Sequence, residues 1–306
     1  MREVQAEPLS PIDAATLWPQ MHRLATEVIA TRAGENLLVR SGLAAMGLTR
    51  LPRVPRTVVL GLKHRLGYRG VLVVRELAGG AGWEAVSLRM AREKDDEAIL
   101  ALLEAATEEV GRRGGRTIYL RYPEGSTHRE AIRKAGLMPY RHERLFAVPP
   151  SDRPAETRFR PAQGRDRHDV FRLYCRVVPE HIRRQEAPTQ QDWRSVLDSY
   201  DCEKEFVFEQ EGTVAGWAGF GDRECYVMAE PGIDGLMEAV LNLVETHGPR
   251  HGTLVLGDYQ AAMETLAVER GYVPLGVRII CARRLALLNP LKEVVAVPAG
   301  SAALPQ

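Results

Sequence analysis

Thiol and metal chemistry have little support in the 306-residue sequence. Its four cysteines stand singly at positions 175, 202, 225 and 281, with no Cys-x-x-Cys pair and no histidine close enough to suggest a zinc site. Cys225 has no evident histidine or acidic partner, which favours a buried thiol over a nucleophile. We therefore expect reduced cysteines and no bound metal.

Two segments contain residues that could bind an anion. Ala78–Gly82 is rich in glycine, but it joins two predicted strands and opens no helix, which is typical of a hairpin turn. Ahead of Asp95 stand Arg89, Arg92 and Lys94, whose side chains could bind an anion. Alternatively, these basic side chains are simply solvated beside an acidic helix start.

A repeat in the sequence indicates which elements position such residues. Ala131–Tyr140 and Leu266–Leu275 each contain the end of a helix, a glycine, two apolar residues and a proline. Gly136 and Gly271 can each stop a helix by adopting the left-handed conformation, and the proline then suits the start of a strand. The two motifs are 135 residues apart, so the chain contains two copies of one unit.

The segments around each motif follow the same order in both halves. An amphipathic helix, a short apolar strand and a final strand are predicted at 95–113, 117–120 and 144–148, and again at 234–246, 253–256 and 277–282. Earlier in each half, the patterns predict two helices and three strands, at 11–32, 33–48, 57–62, 70–74 and 83–88 and at 166–178, 189–200, 205–208, 213–217 and 224–228.

Each half is therefore predicted to be a mixed α/β unit with the order β–α–α–β–β–β–α–β–α–β. The proline-rich polar segment Pro149–Pro154 marks the boundary between them. We predict an N-terminal domain at 1–150, a C-terminal domain at 151–289 and a tail at 290–306.

Charge and hydropathy exclude several classes of partner. The formal net charge is +1, from 41 basic and 40 acidic residues, so no electrostatic attraction to nucleic acid or membrane is expected. No apolar run approaches about 18 residues, which predicts no transmembrane helix. The polar, acidic N-terminus does not resemble a signal peptide, and a cytoplasmic protein is expected.

The order of elements resembles the fold of the Gcn5-related N-acetyltransferases (GNAT). Glu211–Gly216 resembles the family's hairpin, in which a polar residue and a glycine are followed three residues later by a second glycine. Glu269–Val273 resembles its closing Gly-Phe signature, with Tyr272 in the aromatic place. The resemblance implies two tandem GNAT-like domains, acetyl-CoA as the cofactor, and a small-molecule or peptide amine as the acceptor, in a monomer or homodimer.

In the GNAT family, two strands splay apart to admit the pantetheine arm, and a glycine-containing loop before a helix holds the pyrophosphate. Neither half of this chain keeps that loop intact. Asp234 stands where the second half should have its second glycine, unless it is a helix N-cap, and the first half has no glycine in this place. The cofactor-binding residues that the resemblance implies are Met228, Ala229, Gly232, Ile233, Asp234, Gly235, Met90 and Arg92.

The resemblance also implies a base that deprotonates the amine and an acid that protonates the leaving thiolate. A glutamate on the strand before the loop often serves as the base, which indicates Glu84 or Glu224, although either carboxylate could simply be solvated. Both glutamates are therefore catalytic candidates.

The family's acid is usually a tyrosine four residues before the closing glycine. Those positions hold Ile132 and Ala267 in this chain. Tyr259, at the start of the same helix, or Tyr226 could substitute for the missing tyrosine.

An N-acetyltransferase is the leading hypothesis, and the resemblance favours the second half as its active site because that half keeps Gly232 and Gly235. The alternative is a catalytically inactive tandem GNAT-like module that binds a metabolite or a partner protein.

Overall fold

The computed structural model describes residues 6–10, 13, 17, 24, 26–30, 56–64, 67–249 and 251–285. Within these ranges, thirteen strands form one mixed sheet with seven helices packed on its faces. The strands are β1 (Glu7–Pro8), β2 (Thr26–Ala30), β3 (Thr57–His64), β4 (Gly67–Glu76), β5 (Gly82–Met90), β6 (Thr117–Pro123), β7 (Met138–Ala147), β8 (Arg160–Pro161), β9 (Lys204–Gln210), β10 (Thr213–Phe220), β11 (Glu224–Ala229), β12 (Thr253–Gly257) and β13 (Val273–Arg284). The helices are α1 (Asp96–Arg112), α2 (Arg129–Lys134), α3 (Arg167–Val177), α4 (Glu180–Glu186), α5 (Gln190–Ser199), α6 (Leu236–His247) and α7 (Ala261–Glu269).

The long helices follow the apolar patterns of the sequence. Asp95 caps α1 by accepting a hydrogen bond from the backbone N–H of Ala98 at 3.3 Å. The apolar stripe of α1 is buried in the first half against β3 to β6, and that of α6 is buried in the second half against β10 to β12. Helices α3, α4 and α5 cover the opposite face of the second half.

The two halves exchange their last strands within the sheet. The strand order is β1-β3-β4-β5-β6-β13-β7-β12-β11-β10-β9-β8, with β2 added beside β5. Strand β13 therefore lies between β6 and β7, and β7 lies between β13 and β12. The boundary that the sequence predicts near residue 150 falls on a connection between strands of one continuous sheet.

The pairing of β7 with β13 is symmetric about one residue pair. Glu143 lies directly opposite Arg278, and these positions are 135 residues apart, the same offset that separates Gly136 from Gly271. Each strand also has one bulged residue that is out of register with the other strand, Tyr140 in β7 and Leu275 in β13. These two residues are separated by the same 135 positions. The register thus relates the two central strands by an approximate twofold axis between Glu143 and Arg278.

The predicted helix at 11–32 is wrong in its last part. Residues 26–30 form β2, which pairs antiparallel with β5 from Thr26 opposite Met90 to Ala30 opposite Ser87. The β-branched residues Thr26, Val28 and Ile29 suit an extended chain, and this preference outweighed the helical spacing of the apolar residues before them. The helix predicted at 33–48 lies outside the described residues.

Glu143 is the carboxylate at the centre of the sheet, and it is 2% exposed. It accepts hydrogen bonds from Nη2 of Arg278 at 2.9 Å and from Nη2 of Arg141 at 2.7 Å. Burial alone raises the pKa of Glu143, but the nearby charges of Arg278, Arg141 and Arg121 outweigh it and lower that pKa to about 2. A charged glutamate therefore neutralises several guanidinium groups where the two halves meet.

Replacing this carboxylate tests its contribution to stability. Glu143→Gln should lower the free energy of unfolding by about 3 kcal/mol, because it removes a buried counter-charge that two guanidinium groups share. The matched control is Glu264→Gln. It breaks a partly exposed ion pair with Arg144, the neighbour of Glu143 on β7, and should lower the free energy of unfolding by under about 1 kcal/mol. Urea unfolding measures both values, and equal losses would contradict a special role for Glu143.

The same carboxylate should make stability depend on acid. Because the pKa of Glu143 is lower in the folded protein than its ordinary value of 4.5, its stabilisation is complete above that value and is lost as the pH falls toward about 2. Between pH 5 and pH 3, the wild type should lose roughly 2 kcal/mol more unfolding free energy than Glu143→Gln. If urea titrations show that both proteins lose the same unfolding free energy over this pH range, Glu143 is not the group responsible.

Candidate functional site

A polar cavity of about 250 Å³ lies where the two halves meet, under the end of α5. Strands from both halves contribute to it, because β4, β5 and β6 meet β11, β12 and β13 on this face of the sheet. We call it the junction cavity, and the charged residues that line it include Arg75, Glu84, Arg121, Arg223, Glu224 and Arg278.

Glu84 forms part of the floor of the junction cavity and is 2% exposed. Its carboxylate pairs with Arg75 at 3.1 Å and with Arg121. Arg75 also donates to the backbone carbonyl of Asp198 in α5 at 3.0 Å, and Arg121 donates to the hydroxyl of Ser199 at 2.9 Å. Glu84 therefore links the first half's strands to a helix of the second half.

Glu224 lies at the rim of the same cavity, and about a third of its side chain is exposed, at 34%. It pairs with Nη1 of Arg278 at 2.6 Å and accepts a hydrogen bond from the hydroxyl of Tyr226. It does not occupy the position equivalent to Glu84. In the parallel pairs, Glu224 lies opposite Thr253, whereas Glu84 lies opposite Tyr119, two residues further along its strand.

Strands β11 and β12 separate from each other beyond one residue pair. Their parallel pairing ends at Tyr226 opposite Val255, although both strands continue. Beyond this point the side chain of Gln260 stands between them. Its amide nitrogen donates to the carbonyl of Val227 at 2.9 Å, and its amide oxygen accepts from the N–H of Gly257 at 2.8 Å. These two backbone groups would bond directly if the ladder continued, so Gln260 acts as a spacer in the crevice.

A loop follows β11 and leads into α6. Gly232 and Gly235 have φ angles of +85° and +68°, and Gly235 rather than Asp234 is the N-cap of the helix. Glycine adopts such angles without the strain that a side chain would cause. Glu230 is neutralised by a bidentate ion pair with Arg176, in which both N–O distances are 2.8 Å. Asp234 is exposed directly before this N-cap, and Glu238 is a second carboxylate in the first turn of the helix.

Met228 and Tyr259 meet on the face of the crevice that α3, α4 and α5 cover. Met228 is buried at the end of β11, and Ala229 follows it at the strand's last position. The ring of Tyr259 lies against Gly257 at the end of β12. Burial raises the pKa of the Tyr259 hydroxyl well above its ordinary value, so it keeps its proton at neutral pH. Ile233 packs instead on the core under α6.

The corresponding crevice of the first half is filled by the chain itself. Strands β5 and β6 pair only from Gly82 to Ala85, and β2 takes the free edge of β5 from Ser87 to Met90. Met90 is fully buried in the core, whereas Arg92 is exposed. The start of α1 is capped by Asp95, and β2 occupies the edge of β5, so this half offers no free strand edge comparable to that of β11.

The described ranges contain no candidate for a membrane-spanning helix or a metal site. No helix among them is both long enough and apolar enough to cross a bilayer. No group of three or more histidine, cysteine, aspartate or glutamate side chains among them is arranged to hold a metal ion.

Comparison with known proteins gives the fold. Neither a protein-family model nor a curated protein matches the chain. Among solved structures, a GCN5-related N-acetyltransferase from Sphaerobacter thermophilus matches with a TM-score of 0.51 at 14% identity, over 91% of this chain and 95% of that one. The fold is that of the GNAT acetyltransferases. A tandem GNAT protein from the clavulanic acid biosynthesis pathway, solved without acetyl-CoA, matches with a TM-score of 0.50 at 14% identity, over 92% of this chain and 98% of that one.

The GNAT fold confirms the fold class predicted from the sequence, while the sequence missed three features of the site. These are the spacer Gln260, the strand β2, and the central charges on β7 and β13. The sequence did contain a signal for the central charges, since Arg141 and Glu143 stand two residues apart and therefore face the same side of a strand. Gln260 had none, because a single glutamine at a helix start is typical of a solvated surface.

The spacer can be tested through stability. Gln260→Ala should lower the free energy of unfolding by about 1–2 kcal/mol, because it leaves the carbonyl of Val227 and the N–H of Gly257 without their partner. Gln191→Ala removes only an exposed hydrogen bond of 3.3 Å to Gly79 and serves as the control, with a change within about 0.5 kcal/mol. Thermal and urea unfolding measure both, and an unchanged Gln260→Ala variant would show that the two backbone groups pair in another way.

Proposed function

We propose that this protein is an acyl-CoA-dependent N-acyltransferase with a single site, in the second half. The observation that carries the proposal is the difference between the two crevices. The crevice beyond Tyr226 and Val255 is held apart by one side chain and leads to a loop with two left-handed glycines, whereas β2 fills the first. The first half then acts as a scaffold that supplies part of the junction cavity.

The residues after β11 fit an acyl-CoA in most respects. Gly232 has no atom within 4 Å of the place where a side chain would begin, so its backbone is accessible to a phosphate. The backbone N–H groups at the start of α6 and the positive end of that helix favour an anion. Nη1 of Arg158 lies beside Gly235, since it would be 3.9 Å from a Cβ there. The charges of Asp234 and of Glu238 in the first turn of α6 oppose binding.

When bound, acetyl-CoA supplies the activated acyl group as a thioester. The chain's own part is to move two protons. Glu224 is the partly exposed carboxylate that can accept a proton from an ammonium group, and Tyr259 is the hydroxyl that stays protonated and can donate one. The rings of Tyr200 and Tyr226 stack with their centroids 4.1 Å apart and line the junction cavity together with Glu224.

One set of contacts favours the second candidate, a binding module without catalysis. Both glutamates that could act as bases are engaged by guanidinium groups, Glu84 by two and Glu224 by one. The positions at which the family usually has its tyrosine hold the buried side chains of Ile132 and Ala267. Binding of coenzyme A without transfer of the acyl group to any amine would support this candidate.

Asp234 provides the sharpest test of where the cofactor binds. Asp234→Asn should strengthen coenzyme A binding about two- to fivefold, because it removes a carboxylate from the phosphate end of the site. Glu93→Gln makes the same chemical change in the exposed loop before α1 and should leave the affinity unchanged. Isothermal titration calorimetry with coenzyme A measures all three proteins.

The result with the wild type decides the wider proposal. Binding of coenzyme A that responds to Asp234 and not to Glu93 supports a site in the second half, and the reverse response would move it to the first. If no heat is released at millimolar coenzyme A, the acyltransferase proposal fails.

A further inference from the structure

The junction cavity retains donors whose hydrogen-bonding capacity is unused. Arg121 is 8% exposed, and its Nε donates no hydrogen bond within the described structure; the nearest carboxylate oxygen, on Glu143, is 3.9 Å away. Leaving such a buried donor unpaired costs about 1–3 kcal/mol. At the rim, Arg223 is exposed and forms no ion pair with any described residue. Arg223 can therefore receive an oxygen anion directly, and the guanidinium group of Arg121 adds a second positive charge to the same lining.

The same cavity retains one acceptor. A carboxylate has about four acceptor positions, and Glu224 uses three of them, two for Arg278 and one for Tyr226. Its side chain is 34% exposed, so the remaining position is accessible from the cavity. An ammonium group can donate to it.

The size and total charge of the cavity limit what it can hold. At about 250 Å³ it is smaller than the pockets of roughly 300–1,000 Å³ that bind drug-sized ligands, which indicates a small molecule. Its lining contains four arginines and four acidic residues. A ligand with a net charge, such as a phosphate ester or a polyamine, would unbalance this lining, while a ligand with one charge of each sign would not.

We propose that the junction cavity binds a small zwitterion that carries one carboxylate and one amine, with the carboxylate toward Arg121 and Arg223 and the amine toward Glu224. This ligand is the acyl acceptor if the proposed function holds, and the assignment of it as the acceptor rests on that function. The amine then lies beside the residue that can take its proton, and Glu224 is two positions along β11 from Tyr226, where the crevice between β11 and β12 opens.

The experiment titrates the full-length protein, without cofactor, with the common L-amino acids, β-alanine and 4-aminobutanoate by isothermal calorimetry. The strongest binder is compared with the amine and the acid that each lack one of its two charges. Arg223→Gln changes an exposed side chain and should weaken zwitterion binding about tenfold, with little change in the affinity of the amine. Arg172→Gln, an exposed arginine on α3 outside the cavity, should bind as the wild type does.

Every outcome bears on the cavity. Tighter binding of the zwitterion than of either analogue, together with loss in Arg223→Gln alone, supports the proposal. No heat from any zwitterion at millimolar concentration, or equal affinity in Arg223→Gln, overturns it. Coenzyme A titration separates the two proposals: cofactor binding without zwitterion binding contradicts only the cavity, and zwitterion binding without cofactor binding contradicts only the acyltransferase.

Discussion

The rest of the structure depends on charge neutralisation at the centre of the sheet. Strands β7 and β13 each lie between strands of the opposite half, and the central charges of Arg141, Glu143 and Arg278 are largely removed from water. Glu143 stays ionised there, because Arg278 and Arg141 donate to it and their charges lower its pKa. The exchange of strands and the charged pairs therefore require each other.

The central pairs also explain why the site is shared by both halves. Glu84 binds two arginines of the first half, and these donate to Asp198 and Ser199 in α5 of the second half. Helix α5 is thereby held over the first half's strands, and its end forms the roof of the junction cavity. A ligand in that cavity contacts both halves, whichever crevice binds the cofactor.

Much of the fold was predictable because it depends on local patterns. The apolar stripe of α1, the repeated Gly-x-x-Pro motif and the short apolar strands were all read from residue spacing, and the GNAT fold confirms the class they indicate. Strand β2 was not predictable from spacing, because its conformation is set by the free edge of β5, which is distant in sequence. The exchange of β7 and β13 was hidden for the same reason, since either arrangement satisfies the same apolar pattern.

The candidate site was predictable only where chain conformation decides it. Gly232 and Gly235 do adopt left-handed conformations before α6, as a loop that approaches an anion requires. The surroundings of Glu84 and Glu224 could not be read from the sequence, because the arginines that engage them come from β4, β6 and β13. A carboxylate's role depends on such neighbours more than on its place in a strand.

The unlike residues on the twofold axis have a consequence for how the chain could have arisen. In a dimer of two identical half-chains, the residue on this axis faces its own copy, so Glu143 would oppose a second glutamate and Arg278 a second arginine. Opposite charges can stand there only when the two copies have diverged. Neither half of this protein can therefore rebuild the central ion pair by associating with a second copy of itself.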